Sequence, residues 1–307
     1  MRILVAGATG VVGHPLVGAL RARGHQVSAL VREESRARAP EADAIVVADA
    51  LDREALLAAL SEVRPEVVVH QMTALRLMTD NPPEAFAQTA RLRTEGTANL
   101  VAAARAAGAR RLVAQSIAFA AAPTGDTVVD EDVPLHVDAP DPGWAATVQA
   151  VAALEVQVLG ASLELSGAVL RYGTLYGPGT GYARTALGQQ ILAGQIPLPG
   201  GGAGITSFLH VEDAVGAALA AVESEATGAF HITDDEPAPA AQWLPHYAGV
   251  LGAPAPRTIP VEMALRMFGW FMTHQLTAAA GASNARARTE LGWKPLRPSW
   301  RDGLGQE

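Results

Sequence analysis

The chain has 307 residues, of which 49% are hydrophobic and 18% charged, so it can fold as one large domain or two joined ones and is not a disordered chain. Its net charge of −8 argues against nucleic-acid binding, which requires a basic face. The absence of cysteine excludes disulfides, thiolate catalysis and cysteine-ligated metal sites. No apolar run approaches the roughly 20 residues of a membrane span. No signal peptide precedes the first apolar run, so we expect a cytoplasmic protein with neither a membrane nor a nucleic-acid partner.

Short apolar runs alternate with longer helical patterns over the first half of the chain. The runs predicted to be strands are 3–6, 26–32, 44–48, 67–70, 111–115, 168–172 and 229–233. The longest predicted helix covers 84–107 and ends before Gly108, and the chain from 173 onward is less regular. Strands this apolar are covered on both faces, so the alternation predicts an α/β fold with a doubly wound parallel sheet.

The clearest local signal is a glycine-rich turn between the first strand and the first helix. Glycines there allow a tight turn and a close approach of the backbone to a diphosphate, while the helix start supplies unpaired N–H groups. The position therefore predicts a dinucleotide site. The predicted contacts in this turn are Gly7, Thr9, Gly10, Val11, Val12 and Gly13.

The residues that follow the second strand distinguish NADP from NAD. Arg32 can pair with a 2′-phosphate, which indicates NADP(H), whereas Glu33 or Glu34 can accept from the free ribose of NAD. We expect NADP(H), with NAD as the alternative. Asp49, after the third strand, is placed either to reach the adenine edge or to cap the next helix.

Six segments in this order resemble an extended short-chain dehydrogenase/reductase of the NAD-dependent epimerase/dehydratase type. They are GATGVVG at 7–13, VVVHQMTA at 67–74, EGTANLVAAARAAGARRLVAQS at 95–116, LRYGTLYGPG at 170–179, SFLHVEDA at 207–214 and ELGWKP at 290–295. The resemblance implies a Rossmann domain for the nucleotide, formed by 1–172 with 205–235. It also implies a smaller C-terminal lobe for a small-molecule substrate, formed by 173–204 and 236–307, and a homodimer.

Further cofactor contacts are expected at or just beyond the ends of the predicted strands. Together with the glycine turn, the predicted cofactor-binding residues are Arg32, Asp49, Ala50, Gln71, Met72, Gln115 and Tyr172.

The catalytic pair of that family is missing from the sequence. The family places a Tyr, the general acid/base, four residues before a Lys that lowers its pKa. Aligned on Glu155, Thr147 stands at the Tyr position and Val151 at the Lys position. The only lysine in the chain is Lys294, so no other such pair exists. The resemblance therefore implies a retained nucleotide site without the usual proton transfer.

Two more positions depart from the family pattern. Ser116 is either the family's catalytic Ser or its neighbour, and in the second case Ile117 occupies the catalytic position. Arg93 stands where the family commonly has Asn.

The candidates for catalysis are Ser116, Thr147, Tyr176 and His70. Tyr176, after the sixth strand, is expected near the nicotinamide end, and His70 can titrate near neutral pH. A structural role is the alternative for each. Other polar residues are possible site residues for which ordinary roles are favoured: His210 and Asp213 as a helix cap and domain contact, Asp126, Asp130, Glu131 and Asp132 as a solvated, mobile loop, and Arg184 and Arg286 as surface charges.

An apolar cluster covers 263–272. It either lines an apolar substrate pocket or forms a helix buried between the lobes, and the pattern favours the buried helix. The spacing of His, Asp and Glu predicts no metal site.

These observations predict an NADP(H)-dependent oxidoreductase that acts on a carbonyl or alcohol of a small metabolite with non-standard proton transfer. One alternative is an isomerase, cyclase or lyase that keeps the fold without net redox chemistry. Another is a nucleotide-sensing protein without turnover.

Overall fold

The computed structural model describes residues 1–75, 82–161 and 164–306. Its strands are β1 (Arg2–Ala6), β2 (Gln26–Val31), β3 (Ala44–Val47), β4 (Val67–His70), β5 (Arg111–Ile117), β6 (Val128–Val129), β7 (Ser166–Tyr172), β8 (Thr174–Tyr176), β9 (Leu198–Pro199), β10 (Ile205–Thr206), β11 (Phe208–His210), β12 (Gly228–Ile232), β13 (Ala238–Pro239), β14 (Thr258–Ile259) and β15 (Gly281–Ala282). Its helices are α1 (Gly13–Ala22), α2 (Arg53–Val63), α3 (Pro82–Arg91), α4 (Thr97–Ala106), α5 (Pro142–Leu159), α6 (Leu187–Leu192), α7 (Val211–Glu223), α8 (Ala240–Leu251), α9 (Val261–Thr277) and α10 (Ala285–Glu290).

Seven parallel strands form the central sheet in the order β12-β7-β5-β4-β1-β2-β3. In register, Ala6 of β1 lies between Leu30 of β2 and His70 of β4. The strand order reverses between β1 and β4, and ligands of such sheets bind at the carboxyl ends of the strands at this switch point. The predicted doubly wound parallel sheet is confirmed.

The sheet is buried on both faces because alternate residues of each strand point to opposite sides. Ile3 and Val5 of β1 pack with α1 and α7, whereas Leu4 packs in the opposite layer with Leu56 of α2 and Leu154 of α5. A fully buried Leu or Ile contributes about 1.5–3 kcal/mol relative to an exposed one, so these two layers dominate the stability of the sheet.

A separate aromatic core lies in the C-terminal part of the chain. Phe208 contacts the rings of Tyr176, Tyr182, Trp243 and Trp300, with centroid distances between 5.5 and 6.0 Å. Here β11 pairs with β8 and β10 pairs with β13, while α7 packs against α1 and β12 joins the central sheet. None of the helices in the described part of the chain is both long and apolar enough to cross a membrane.

Three local expectations were wrong in whole or in part. The helix predicted over 84–107 is interrupted by a π-helical turn at Leu92–Gly96, between α3 and α4. In the acidic segment before α5, Asp126, Asp130 and Asp132 are exposed as expected, whereas Glu131 is buried and β6 pairs with β15. The favoured buried helix over 263–272 is instead largely exposed, as shown by Met267, which is 56% exposed.

Candidate active site

The glycine turn is shaped by close backbone contacts that exclude larger residues. Gly7 has φ +84°, and a Cβ there would lie 2.5 Å from the backbone of Gln71. A Cβ on Gly13 would lie 2.2 Å from the carbonyl oxygen of Gly7, which accepts from N–H of Gly10 at 3.0 Å. The N-cap residue of α1 is Val12, whose apolar side chain makes no capping hydrogen bond. The turn and the helix start therefore have the shape and polarity of a diphosphate cradle.

A cleft of about 610 Å³, open to solvent, lies beside this turn at the carboxyl ends of the strands. Six predicted cofactor-binding residues line it together: Gly7, Thr9, Arg32, Asp49, Ala50 and Met72. Further lining residues that the sequence did not single out include Ser35, Thr73, Ala74, Gln88 and Leu92. Ser35 lies three residues after Arg32, so the reasoning that selected Arg32 could have included it. Gln88 and Leu92 lie in a helical segment whose sequence shows no cofactor-binding motif. The other predicted contacts, which are Gly10, Val11, Val12, Gly13, Gln71, Gln115 and Tyr172, are not among the residues that line this cleft.

The end of the cleft beyond β2 and β3 is polar. Nη1 of Arg32 lies 2.9 Å from Oε1 of Glu34, and both side chains are well exposed. Oδ1 of Asp49 accepts from N–H of Leu51 at 2.9 Å. Asp52, and not Asp49, caps α2 by accepting from Ala55, so the helix-cap interpretation of Asp49 is wrong.

Gln71 and Tyr172 form a buried pair at the strand ends. Nε2 of Gln71 donates to Oη of Tyr172 at 3.2 Å, and this hydroxyl donates to the carbonyl of Ala214 at 3.5 Å. Burial raises the pKa of the Tyr172 phenol. Both side chains are therefore buried structural contacts at the carboxyl ends of β4 and β7.

The predicted catalytic His70 is buried and neutral. Its Nδ1 accepts from N–H of Met72 at 3.1 Å, and its Nε2 lies 3.0 Å from Oγ1 of Thr97. These contacts assign the proton to Nε2. Burial, together with the nearby charge of Arg93, lowers the pKa of His70 to about 4. The His70 ring therefore has a structural role at the end of β4 and is not an exposed acid.

Ser116 belongs to a buried ion pair. Its hydroxyl donates to Oε1 of Glu155 at 2.7 Å, and Glu155 also binds Nε and Nη2 of Arg171 at 3.0 and 2.8 Å. Nη1 of Arg171 donates to the carbonyl of Glu131 at 3.2 Å. The Ser116 hydroxyl proton is therefore already used in the hydrogen bond to the Glu155 carboxylate.

Thr147 and Val151, which the sequence aligns with the family's catalytic pair, both lie on α5. Oγ1 of Thr147 donates to the carbonyl of Gly143 at 3.0 Å, one turn earlier. Val151 is buried. Lys294 is exposed in the segment after α10 and does not line the cleft, so the fold does not return it to the site.

Tyr176 lies in the C-terminal aromatic core. Its ring is 5.0 Å from that of His210, and burial raises the pKa of its phenol. Its hydroxyl has no hydrogen-bond partner in the part of the chain that the structure describes. The structure therefore places Tyr176 among core residues and not on the cleft.

The remaining polar candidates have structural contacts. His210 caps α7 by accepting from Glu212, and Asp213 accepts from the N–H groups of Leu296 and Arg297, in agreement with the cap and domain contact expected for them. Arg286 pairs with Asp132 at 2.7 Å. Glu131 accepts from N–H of His231. The exposed candidates are Asp126, Asp130, Asp132 and Arg184. Among the described residues, no group of three or more His, Asp or Glu side chains is arranged to hold a metal ion.

A second, smaller cavity of about 230 Å³ lies at the carboxyl ends of β5 and β7, lined in part by Phe119, Gly173, Thr174 and Ser207. Phe119 also belongs to an aromatic wall. Its ring stacks on Trp144 at 6.2 Å, and Trp144 stacks on Phe271 at 4.2 Å. The sequence interpretation included Phe271 but missed Phe119 and Trp144. Only their positions could have indicated a role at the site: Phe119 lies just after β5, and Trp144 lies about one turn before Thr147.

The comparison with protein families agrees with this geometry. Residues 3–232 match the model of the NAD dependent epimerase/dehydratase family. The chain is 77% identical over 310 residues, covering all of both proteins, to a 3-diazoavenalumate denitrifying reductase from Streptomyces sp.

Solved structures share the fold over nearly the whole length. A UDP-glucose 4-epimerase from Thermus thermophilus in complex with NAD is 25% identical, with a TM-score of 0.74 over 99% of this chain and 96% of that one. A human epimerase family protein with NADPH is 20% identical, with a TM-score of 0.72 over 99% and 98% of the two chains, which shows the common fold. The chain thus belongs to the NAD-dependent epimerase/dehydratase family, and it is an enzyme.

Proposed function

We propose that this enzyme is a reductase that uses NAD(P)H to remove a diazo group from an aromatic carboxylate. The name of its Streptomyces relative supports the reaction class. The proposal rests on the two residues, Thr147 and Val151, that stand where the sequence alignment places the family's proton-transfer pair. Thr147 is bonded to its own helix and Val151 is apolar, so no positioned acid stands where the reduction of a carbonyl needs one.

Reductive removal of N₂ from an aryl diazonium cation needs a hydride but no proton from the protein. A reduced nicotinamide, when bound beside the glycine turn, supplies that hydride. An aryl diazonium that accepts it on the terminal nitrogen becomes an aryl diazene. The N–H and C–N bonds of the diazene then break, N₂ leaves, and the ring carbon keeps the electron pair of the C–N bond and takes up the proton. One diazonium and one NAD(P)H thus give one arene, one N₂ and one NAD(P)⁺, and the protein's task is to position the substrate and exclude water.

The aromatic wall supports a planar, aromatic substrate. Phe119 borders the second cavity and stacks on Trp144, which lies one turn before Thr147 on α5. Aromatic pairs contribute about 0.5–1.5 kcal/mol beyond the burial of their area, so stacking on such a wall favours a flat ring over a sugar.

The cleft supports NADP(H) as the cofactor, held by the glycine turn with Thr9, Met72 and Ala50. Arg32 presents a well-exposed guanidinium to the cleft, beside the buried Ser35. A guanidinium can pair with the 2′-phosphate through two N–H groups, and the Ser35 hydroxyl can donate to the same group.

A homodimer is the assembly we propose. Exposed apolar side chains lie on two helices that pack together: Val156 and Leu159 on α5, and Phe86 on α3. Val156 is 72% exposed. A second copy that covers this face removes the apolar area from water, and Val156→Glu is expected to yield a monomer in analytical ultracentrifugation.

The experiment that tests the function is anaerobic incubation with NADPH and an isotope-labelled aryl diazonium carboxylate. We expect one labelled N₂ and one arene for each NADPH oxidised, measured by mass spectrometry and by NADPH absorbance. A ketone with the same ring is the comparison substrate, and we expect no turnover with it. Release of N₂ without oxidation of NADPH, or turnover of the ketone alone, contradicts the proposal.

A further inference from the structure

Arg93 is a buried cation without a counter-charge. Only 5% of its surface is exposed. Across residues 1–75, 82–161 and 164–306, neither an ion pair nor a hydrogen bond reaches its guanidinium, and burial alone lowers its pKa to about 10. Two other buried arginines are satisfied: Arg171 by Glu155, and Arg111 by the carbonyls of Ala221 and Ala226. Buried charges in proteins are normally paired, so the state of Arg93 requires a reason.

Arg93 lies in an irregular stretch of backbone, next to a residue that lines the cleft. Arg93 lies in the π-helical turn Leu92–Gly96, and Leu92 lines the cleft. Nε2 of Gln157 on α5 donates to the carbonyl of Thr94 at 3.3 Å, which holds the turn against the helix that carries Thr147. Single π-helical turns occur frequently at functional sites, because the extra residue redirects a side chain.

The charge of Arg93 acts on His70, the last residue of β4. It contributes to the lowered pKa of His70, and His70 is followed by Gln71, on whose backbone Gly7 packs. The guanidinium is therefore close to His70 at the carboxyl end of β4, and β4 pairs with β1, which leads into the glycine turn. Arg32 supplies positive charge at the other end of the cleft, beyond β2.

We propose that Arg93 is an anion receptor of the active site that binds an oxyanion of the bound ligand, either a phosphate of the cofactor or the carboxylate of the substrate. The proposal rests on the proposed function for the second of these sources. A guanidinium offers two parallel N–H groups to a phosphate or carboxylate, and the low polarity around Arg93 strengthens such a pair. In the ligand-free enzyme the same charge has no partner in the described ranges of the chain and opposes folding.

The test compares Arg93→Gln, Arg93→Lys and Arg93→Met with the wild type. Arg91→Gln is the matched control, because Arg91 lies two residues earlier, is exposed, and pairs with Glu95. Binding of NADP⁺ is measured by calorimetry. Binding of 4-hydroxycinnamate and its methyl ester to the enzyme–NADP⁺ complex is measured by tryptophan fluorescence. Both measurements work without turnover, so they remain informative if the diazo chemistry is wrong.

We expect Arg93→Gln to weaken one of the two ligands by roughly tenfold to a hundredfold, with partial rescue by Arg93→Lys and no change in Arg91→Gln. A loss confined to NADP⁺ identifies a cofactor phosphate. A loss for 4-hydroxycinnamate but not for its ester identifies the substrate carboxylate. In the ligand-free enzyme, Arg93→Met is expected to raise Tm, since it removes an unpaired buried charge, whereas a structural arginine would lower Tm when replaced.

The proposal is overturned if Arg93→Gln and Arg93→Met bind NADP⁺ and 4-hydroxycinnamate within about twofold of the wild type. It is also overturned if Arg93→Lys binds both ligands as weakly as Arg93→Met while Arg93→Met lowers Tm, because the arginine then supports the fold and not a ligand.

Discussion

The hydroxyl of Ser116 donates a 2.7 Å hydrogen bond to the same oxygen of Glu155 that accepts from Nε of Arg171 at 3.0 Å. The serine nearest the family's catalytic position is thereby part of a buried ion pair. Ser116 and Ala114 face α5, and Ile117 at the end of β5 packs against the cluster that contains Trp144 and Val148 of the same helix. The first prediction follows from this contact.

Ser116→Ala is expected to cost about 1 kcal/mol of stability, the value of one hydrogen bond, and to leave kcat within a few-fold of the wild type. Glu155→Gln is expected to cost about 3–5 kcal/mol, because Arg171 is left as an uncompensated buried charge. Urea unfolding and steady-state kinetics measure both effects. A hundredfold loss of kcat in Ser116→Ala at unchanged stability would assign the hydroxyl to catalysis instead, on the scale of acid–base groups.

The second prediction concerns the glycine turn. Gly13→Ala places a Cβ 2.2 Å from the carbonyl oxygen of Gly7. Such overpacking costs about 1–3 kcal/mol and distorts the turn, so NADPH binding should be lost. Gly18→Ala in the same helix is the control. Nothing lies within 4 Å of its new Cβ, and it should stabilise α1 by about 0.5–1 kcal/mol with NADPH affinity unchanged. Normal NADPH binding by Gly13→Ala would refute the assigned cradle.

The third prediction concerns the choice between NADP and NAD. Arg32→Asp is expected to weaken NADPH binding by roughly tenfold or more and to leave NADH binding unchanged or improved. Glu34→Gln removes the carboxylate 2.9 Å from Arg32 and should leave NADPH affinity equal or higher. Calorimetric titration of both nucleotides measures the effect. Equal NADPH affinity in wild type and Arg32→Asp means that Arg32 does not read the 2′-phosphate.

The fourth prediction concerns Asp234, whose pKa burial raises to about 8. The unfolded chain releases this proton near pH 4, so the folded state binds more protons between about pH 4 and pH 8. Stability due to this group therefore falls as pH rises through that window, by up to about 1.4 kcal/mol per pH unit.

Asp234→Asn keeps the side chain neutral and should remove this part of the pH dependence. Urea unfolding at about pH 6 and about pH 8 compares the two proteins, which share every other titrating group. We expect the wild type to lose more stability than Asp234→Asn across that interval. Equal losses would place the pKa of Asp234 in the folded protein below about 6 and contradict the prediction.

The sheet and the glycine turn could be predicted because their signals are local. Continuous apolar runs such as that of β4 mark buried parallel strands, and the spacing of Gly7, Gly10 and Gly13 after β1 marks the turn. The replacement of the catalytic pair by Thr147 and Val151 stays a prediction, since it rests on alignment to Glu155.

Other features depend on packing between distant segments. The π-helical turn at Leu92–Gly96 leaves the apolar pattern of its helix intact, so no periodicity reveals it. The aromatic wall joins Phe119, Trp144 and Phe271 from three separate elements. Tyr176 was expected near the nicotinamide end from its place after β7, but its ring turns into the C-terminal core against His210.

The most direct test of the central claim is a single-turnover reaction of the enzyme–NADPH complex with an aryl diazonium carboxylate, in water and in heavy water. The account predicts a primary isotope effect with deuterated NADPH, a rate constant that is independent of pH between about pH 6 and pH 8, and no solvent isotope effect. Thr147→Val should react at the wild-type rate. A rate constant that follows a single ionisation and slows in heavy water would show that a protein group delivers a proton in the hydride step, and would contradict the account.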